Sequence, residues 1–249
     1  MILCDLPYGT TACEWDEIIP FAPMWEQFRR VTKPRAAIVL TASQPFTSKL
    51  VMSNPNMFKY EWIWAKSRGT GFQHAKNMPL KKHENILIFS SGVANHAHLS
   101  SNRMSYFPQM EIGEPYTKKT VSTNVAKHSI HNASKINLAF VGHVSINEGT
   151  RYPSSVLEFA NDNHSTLHPT QKPVALFEYL IRTYTQEGDV VLDPCVGSGT
   201  TAAAARNTGR HYIVGDSSAE YIELARKRIA APYTPPLFTD DVKVAEINQ

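Results

Sequence analysis

The sequence is poor in cysteine, in charge and in long apolar runs, and each shortage excludes a class of protein. Its three cysteines, Cys4, Cys13 and Cys195, are odd in number and too few for a disulfide framework. That usage points to a reducing compartment. No apolar run approaches the roughly 18 residues needed to cross a bilayer, and no basic stretch followed by an apolar segment marks a secretory leader. Internal repeats are absent. The His residues, among them His96, His98, His164 and His168, lack Cys or carboxylate partners at zinc spacing, so no metal is expected. What is present is 42% hydrophobic and 19% charged residues over 249 positions, the balance of a globular chain long enough for one sizeable core.

Lys plus Arg number 25 against 22 acids, a net charge of +3. This is weak support for a nucleic-acid partner. The local distribution says more: Lys66, Arg68, Lys76, Lys81, Lys82 and His83 share one Gly- and polar-rich stretch, opposed only by Glu84 at its end. On charge alone the stretch reads as a solvated basic loop.

Periodicity gives the elements. Residues 21–31 (FAPMWEQFRRV) carry apolar positions at helical spacing, 36–42 (AAIVLTA) form a buried strand, and 44–54 form a helix. Residues 60–66 (YEWIWAK) and 84–91 (ENILIFSS) read as strands flanking a flexible loop over 68–82. From 92 to 168 long periodic segments vanish, leaving isolated β-like pieces at 103–110 and 151–159. A stretch that long without regular structure suggests a functional insertion. Regularity returns with a helix over 172–184 (Pro173 in its first turn), a strand over 189–193, a Gly-rich turn feeding an Ala-rich helix over 197–209, a strand over 211–216 and a helix over 217–231. Ser217 and Glu220 open that last helix at capping-box spacing, and Pro232, Pro235 and Pro236 follow it. Strand and helix alternate on both sides of the irregular stretch, which implies an α/β, doubly wound, mostly parallel sheet. The segments divide as 1–91, 92–168 and 169–249.

Two constellations carry chemistry. In VVLDPCVGSGTT a strand ends at Asp193, and Gly197, Ser198 and Gly199 lead into a helix; Asp216 ends the next strand about 17 residues after Gly199. Glycines admit close approach of a ligand, the helix start offers free N–H groups, and an acid after the second strand suits two ribose hydroxyls. A P-loop fails, because Thr200 and Thr201 stand where GK[ST] is required. A dinucleotide site with Ala202 in place of the third glycine, an S-adenosylmethionine site, and a bare strand–helix turn all stand on the residues alone. The second constellation is Asp5-Leu6-Pro7-Tyr8. Pro7 restricts Leu6, so that the Leu6 carbonyl and the Asp5 carboxylate make a two-acceptor fork for an NH2 group, with Tyr8 as a flat face for a base. A plain turn with a core tyrosine is the alternative.

Taken together, the order DLPY (5–8), an irregular region, HPTQKP (168–173), DPCVGSGTT (193–201) and GDSSAEY (215–221) resembles the β-class DNA amino-methyltransferases, which methylate adenine N6 or cytosine N4. The stretch Pro7 to Asp16 is similar to phage and prophage relatives. The resemblance implies a seven-stranded methyltransferase sheet with the irregular region as a target-recognition insertion, S-adenosyl-L-methionine as cofactor, double-stranded DNA as partner, and a bacterial or phage-infected cytoplasm. A homodimer and a cognate restriction endonuclease are further partners it admits. It makes Asp5, Leu6, Pro7 and Tyr8 catalytic. It puts Thr170, Gln171, Lys172, Pro173, Asp193, Pro194, Gly197, Ser198, Gly199 and Thr200 beside the cofactor, and Asp216 on the ribose. An Asp at position 5 implies adenine, with cytosine N4 as the alternative. Leu6 replaces the usual first Pro, and Asp216 the more usual Glu. Members usually carry a Gly-Asp turn and a short helix before the catalytic strand; this chain starts three residues before Cys4, so a truncated or remodelled member is expected. Phe72 is either a second stacking group or a loop aromatic folded onto the core, and Lys81 and Lys82 are candidate phosphate contacts. An RNA or protein amino-methyltransferase, or a DNA-binding remnant without activity, are the rival functions. Cys195 reads as a small packing residue.

Overall fold

Short apolar runs with residues pointing alternately to two sides need helices on both sides of one sheet, and the chain supplies them. The computed structural model describes residues 1–10, 16–94, 101–122, 141–161 and 171–230. Cys13, His96, His98, His164, His168, Thr170 and the prolines after the last helix lie outside the described residues. The elements are β1 (Ile2–Asp5), α1 (Phe21–Val31), β2 (Ile38–Ala42), α2 (Phe46–Ser53), β3 (Phe58–Thr70), β4 (Lys81–Phe89), β5 (Glu111–Ile112), β6 (Tyr116–Ser122), β7 (Val141–Asn147), β8 (Thr150–Arg151), β9 (Val156–Phe159), α3 (Val174–Tyr184), β10 (Val190–Asp193), α4 (Thr200–Asn207), β11 (His211–Val214) and α5 (Ala219–Ala230).

The main sheet has seven strands in the order β11-β10-β1-β2-β4-β3-β9. All pairings are parallel except those of β4, which runs against both β2 and β3. The doubly wound, mostly parallel expectation therefore holds, with β4 as its reversed member. Alternation along the strands sorts the core. Leu3, Val39, Ile86 and Ile88 face one side, where they pack with Leu176, Phe177, Leu180 and Ile181 of α3 and Ala204 and Ala205 of α4. Ile2, Cys4, Ile38, Leu40, Leu87 and Phe89 face the other, against Met24, Trp25 and Phe28 of α1 and Phe46 and Leu50 of α2. The Ala-rich stretch of α4 has its reason here: four consecutive alanines, Ala202 to Ala205, are all buried, and small side chains let the helix sit close to its neighbours. Tyr184 pins α3 to β3, its hydroxyl accepting from Trp62 Nε1 at 2.7 Å.

Several boundaries differ from the expectation. The flexible loop over 68–82 is shorter than read, because β3 and β4 continue into it and pair as far as Thr70 and Lys81. Residues 156–159, inside the irregular stretch, form β9 and pair with β3 through Ile63↔Val156 to Lys66↔Phe159. Residues 103–110 form no named strand. Pro173 precedes α3 with φ −63° and ψ 131° instead of lying in its first turn. The cap of α5 is Ser218, whose Oγ accepts from Tyr221 N at 3.3 Å, one residue after the serine that the spacing favoured.

The chain divides into two compact units. The first holds the seven-stranded sheet. The second, Gln109–Pro153, contains the antiparallel pairs β5–β8 and β6–β7, with the Arg151 guanidinium 4.6 Å from the centre of the Tyr116 ring.

Candidate active site

In a parallel sheet all carboxyl ends open on one edge, where side chains from distant segments meet. Here β1 ends at Asp5, β10 at Asp193, and β11 runs on to Asp216. Because β4 is reversed, its beginning lies at the same edge: Asp5 is in register with Thr41, and Ala42 with Asn85. Glu84 is thus the next residue along that edge.

Asp5 is the centre of a dense network. Its Oδ1 accepts from the Tyr8 hydroxyl at 2.8 Å and from the Thr41 hydroxyl. Its Oδ2 accepts from Lys172 Nζ at 2.7 Å. The Lys172 ammonium also lies 3.5 Å from Glu84 Oε2, while Glu84 Oε1 takes Lys66 Nζ at 2.5 Å. The result is a chain of alternating charge, Asp5–Lys172–Glu84–Lys66, in which Lys66, Glu84 and Lys172 are buried. Burial alone would push the Glu84 carboxyl up, but Lys172 and Lys66 outweigh it and hold it below its ordinary value. Burial would likewise lower Lys172, and Asp5 and Glu84 outweigh that to hold it above its ordinary value. Burial, then the neighbouring Asp5 charge, pushes the Tyr8 phenol well up, so it stays a neutral donor. The Tyr8 ring is backed by Phe46, with centroids 5.3 Å apart and planes inclined by 24°. Leu6 is buried and Pro7 half-buried between these two groups.

The Gly-rich turn is built from inside. Asp193 is buried; its Oδ1 accepts from Cys195 N at 3.0 Å and its Oδ2 from Thr201 Oγ1 at 2.5 Å. Burial pushes its carboxyl up to about 6 against these hydrogen bonds. Asp216 ties the turn to the next loop, accepting from Gly197 N at 2.9 Å and Ser218 N at 3.0 Å. The two glycines do different work. Gly199 has φ +86°, and a Cβ there would meet Ala225 Cα at 3.0 Å; Gly197 has φ +48° and open space where its Cβ would be, as does Gly215. Gly199 lets α5 approach, whereas Gly197 and Gly215 border an open cradle at the N-terminus of α4. Arg228 NH1 straps the turn from α5, donating to Ser198 O at 3.1 Å and to Thr200 Oγ1 at 3.1 Å. Thr200 in turn reaches the Lys172 carbonyl at 3.4 Å, and Gln171 and Pro194 are half-buried beside their neighbours in sequence.

The structure brings Asp5, Tyr8 and Lys172 together, and separately Asp193, the glycines, Ser198, Thr200 and Asp216. Lys172, placed beside the cofactor by resemblance, has its ammonium on Asp5. Lys66 leaves the basic loop: it lies on β3, where the register Trp64↔Glu84 brings it to its partner. The Lys81 ammonium is turned to Ser43 Oγ, which takes it partly away from a phosphate role, while Lys82 is exposed. Phe72, in a short 3-10 turn, is 81% exposed, so it does not fold onto the core. Sequence reasoning missed Thr41, Glu84 and Arg228. One signal existed for Glu84, the lone acid closing a basic stretch.

Over residues 1–227 the chain matches the family model for N6/N4 DNA methylases. The chain belongs to that family. Among curated relatives, the methylase is 28% identical to the Type II methyltransferase M.HpaI of Haemophilus parainfluenzae over 252 residues, covering 94% of this chain and 68% of the relative. It is 53% identical to the Type II methyltransferase M2.DpnII of Streptococcus pneumoniae over 64 residues, 26% of this chain and 24% of that one. Among solved structures, it resembles an M1.HpyAVI–SAM complex (TM-score 0.54, 21% identity, 91% of this chain and 87% of that chain). It also resembles the cytosine-N4-specific PvuII DNA methyltransferase (TM-score 0.58, 14% identity, 92% and 79%). These likenesses confirm the seven-stranded methyltransferase fold. Among the described residues, no helix of the methylase is long and apolar enough to cross a membrane.

Proposed function

We propose that this methylase transfers a methyl group to the exocyclic N6 of adenine in double-stranded DNA, at sites read by its middle segment. The observation that carries the reading is the Asp5 carboxylate, held at the open edge of the sheet by Tyr8, Thr41 and Lys172. A carboxylate offers about four acceptor positions. Three donors fill three of them, and the last suits one N–H of an amino group. The Leu6 carbonyl is the second acceptor of the fork.

The methyl donor is S-adenosylmethionine. The cradle fits it: open space at Gly197 and Gly215, the start of α4, and the Asp216 carboxylate at the next strand end. Gly197, Ser198, Gly199 and Asp216 would hold it, with Asp193 organising the turn from beneath. When bound, S-adenosylmethionine would supply the methyl group: its S–CH3 bond would break as the N–CH3 bond forms, S-adenosylhomocysteine would leave, and the positive charge arising on the nitrogen would be discharged by loss of one N–H proton to water. Asp5 stabilises that developing charge by accepting an N–H hydrogen bond. The target base has to leave the duplex stack to reach the fork. Tyr8, fixed by its hydroxyl and backed by Phe46, offers a face on which the base stacks, and exposed Phe72 is available as a second one. The chain acts in the cytoplasm of a bacterium or an infected host.

The test is methylation of plasmid DNA followed by digestion to nucleosides and mass spectrometry. N6-methyladenine is expected; N4-methylcytosine instead would overturn the base assignment. Asp5→Ala is expected to abolish transfer while S-adenosylmethionine affinity, measured by calorimetry, stays. Full activity in that variant would overturn the role of the fork.

A further inference from the structure

In the chain Asp5–Lys172–Glu84–Lys66 no motif contributes Glu84 or Lys66, and Glu84 is the nearer of the two to the fork, one side chain away from it. Glu84 is 8% exposed and touches Asp5 only through Lys172. We propose that Glu84 is a positioning residue for methyl transfer: it shares the Lys172 ammonium with Asp5 and offsets its charge, so that the fork presents an undiminished carboxylate to the amino group. This inference rests on Asp5 being the acceptor for that group.

The physical argument is one of charge. The four groups are two carboxylates and two ammoniums, so their sum is zero. Two further charged groups lie within reach: Lys81, partly buried with its ammonium on Ser43 Oγ, and the buried Asp193 carboxyl, whose charge Asp5 opposes. During transfer the accepting nitrogen becomes positive. An ammonium 2.7 Å from Asp5 Oδ2 opposes that change and cancels much of what Asp5 provides. Lys172 is nevertheless needed, because it orients Asp5 and neutralises it in the absence of substrate. Glu84 resolves the conflict by holding Lys172 from behind with the opposite sign. Lys66 then balances Glu84, 2.5 Å away on its far oxygen, so that Glu84 is not itself an unpaired buried charge.

Geometry supports a dedicated role. Glu84 is the first buried residue of β4, and the strand's reversed direction is what brings its beginning to the catalytic edge. A parallel strand in that place would put its carboxyl end there instead.

The experiment compares Glu84→Gln, the double variant Lys66→Met/Glu84→Gln, and Asp5→Ala in the full chain. Glu84→Gln leaves a net positive group behind the fork, and kcat is expected to fall about 10²-fold. KM for DNA and calorimetric affinity for S-adenosylmethionine should hold within about threefold. The double variant restores a neutral sum and is expected to regain about tenfold or more of the lost kcat. A purely structural role also predicts that the double variant is the more stable, because it no longer leaves Lys66 as an unpaired buried charge. The discriminating readout is kcat of the folded enzyme, measured well below each variant's melting temperature, which a structural role leaves unchanged. Unchanged kcat in Glu84→Gln, or no recovery in the double variant, would overturn the proposal. Should Glu84→Gln fail to fold, as judged by its thermal melting, the double variant decides alone: it lacks Glu84, so kcat about tenfold or more below the parent at unchanged KM supports the proposal, and kcat equal to the parent's overturns it. Asp5→Ala separates the two readings. If that variant keeps its activity the fork itself is wrong, whereas an inactive Asp5→Ala beside a fully active Glu84→Gln removes only the role of Glu84.

Discussion

Lys172 Nζ lies 2.7 Å from Asp5 Oδ2, joining side chains 167 positions apart in the chain. The pair joins two distant parts of the sheet edge, since Lys172 lies just before Pro173, the cap of α3, and Asp5 ends β1. Removing the cation leaves Asp5 and Glu84 as neighbouring negative charges. Lys172→Met is therefore expected to lose about 3–5 kcal/mol of stability at neutral pH, measured by urea unfolding. The deficit has a defined pH dependence. The Glu84 carboxyl is held below its ordinary value of 4.5, so in the parent it adds stability above that value and loses it as pH falls through the depressed one. The variant lacks this contribution, and the gap between the two proteins should narrow on acidification. A gap that widens in acid would contradict the ion-pair account.

Gly197 borders open space and Gly199 a packed helix, so the two substitutions test the proposed ligand contact and packing separately. Both have positive φ, so an alanine at either costs about 1–2 kcal/mol in backbone strain. At Gly197 the added methyl meets nothing, so Gly197→Ala should melt only slightly below the parent while its calorimetric affinity for S-adenosylmethionine drops. At Gly199 the methyl meets Ala225 Cα at 3.0 Å, adding about 1–3 kcal/mol of overpacking. Equal melting temperatures for the two variants would show that the close approach of α5 is not under strain from that methyl.

Asp193 carries a stability cost that depends on pH. Its carboxyl is pushed up to about 6 from 3.8, so the folded protein binds a proton more readily than the unfolded chain. Stability from this group rises as pH falls through about 6 and is complete below 3.8; above 6 the cost is fully present, on the order of 2–3 kcal/mol. Asp193→Asn keeps an acceptor for Cys195 N and a partner for Thr201. It should be more stable than the parent at pH 8, by up to that amount, keep only about 1 kcal/mol of the advantage at pH 4.5, and lose the rest below 3.8. Urea titrations at the two pH values check this, and a variant less stable at pH 8 would refute it.

Much of the fold was legible because α1, α2 and α3 bury one stripe each, β2 is apolar but for Thr41, and β4 is apolar over Ile86, Leu87, Ile88 and Phe89. The second acid, the glycines and the DLPY turn were legible as types and spacings. What was hidden depended on register. Lys66 reads as part of a basic loop until Trp64 is placed opposite Glu84; only then do two residues 18 apart become an ion pair. Thr41 looks like any β-branched strand residue, and its hydroxyl matters because Asp5 lies beside it. The β-like piece at 151–159 held β9, but its place beside β3 depended on register. The shift of the α5 cap from Ser217 to Ser218 follows from the loop before it, where Asp216 accepts from Ser218 N.

The pairing of β1 with β10 has a consequence for how such chains diversify. Ile2 stands opposite Leu192, and Leu192 N donates to the Met1 carbonyl at 2.9 Å. The seam between the two parts of the sheet edge is thus closed over about three quarters of the chain. Closure entropy grows only logarithmically with such a length, so doubling it costs about 0.6 kcal/mol. Insertions, deletions or exchange of the middle segment are therefore nearly free for the seam. On the proposed function, such a change would alter what the middle segment reads while the sheet edge stays assembled.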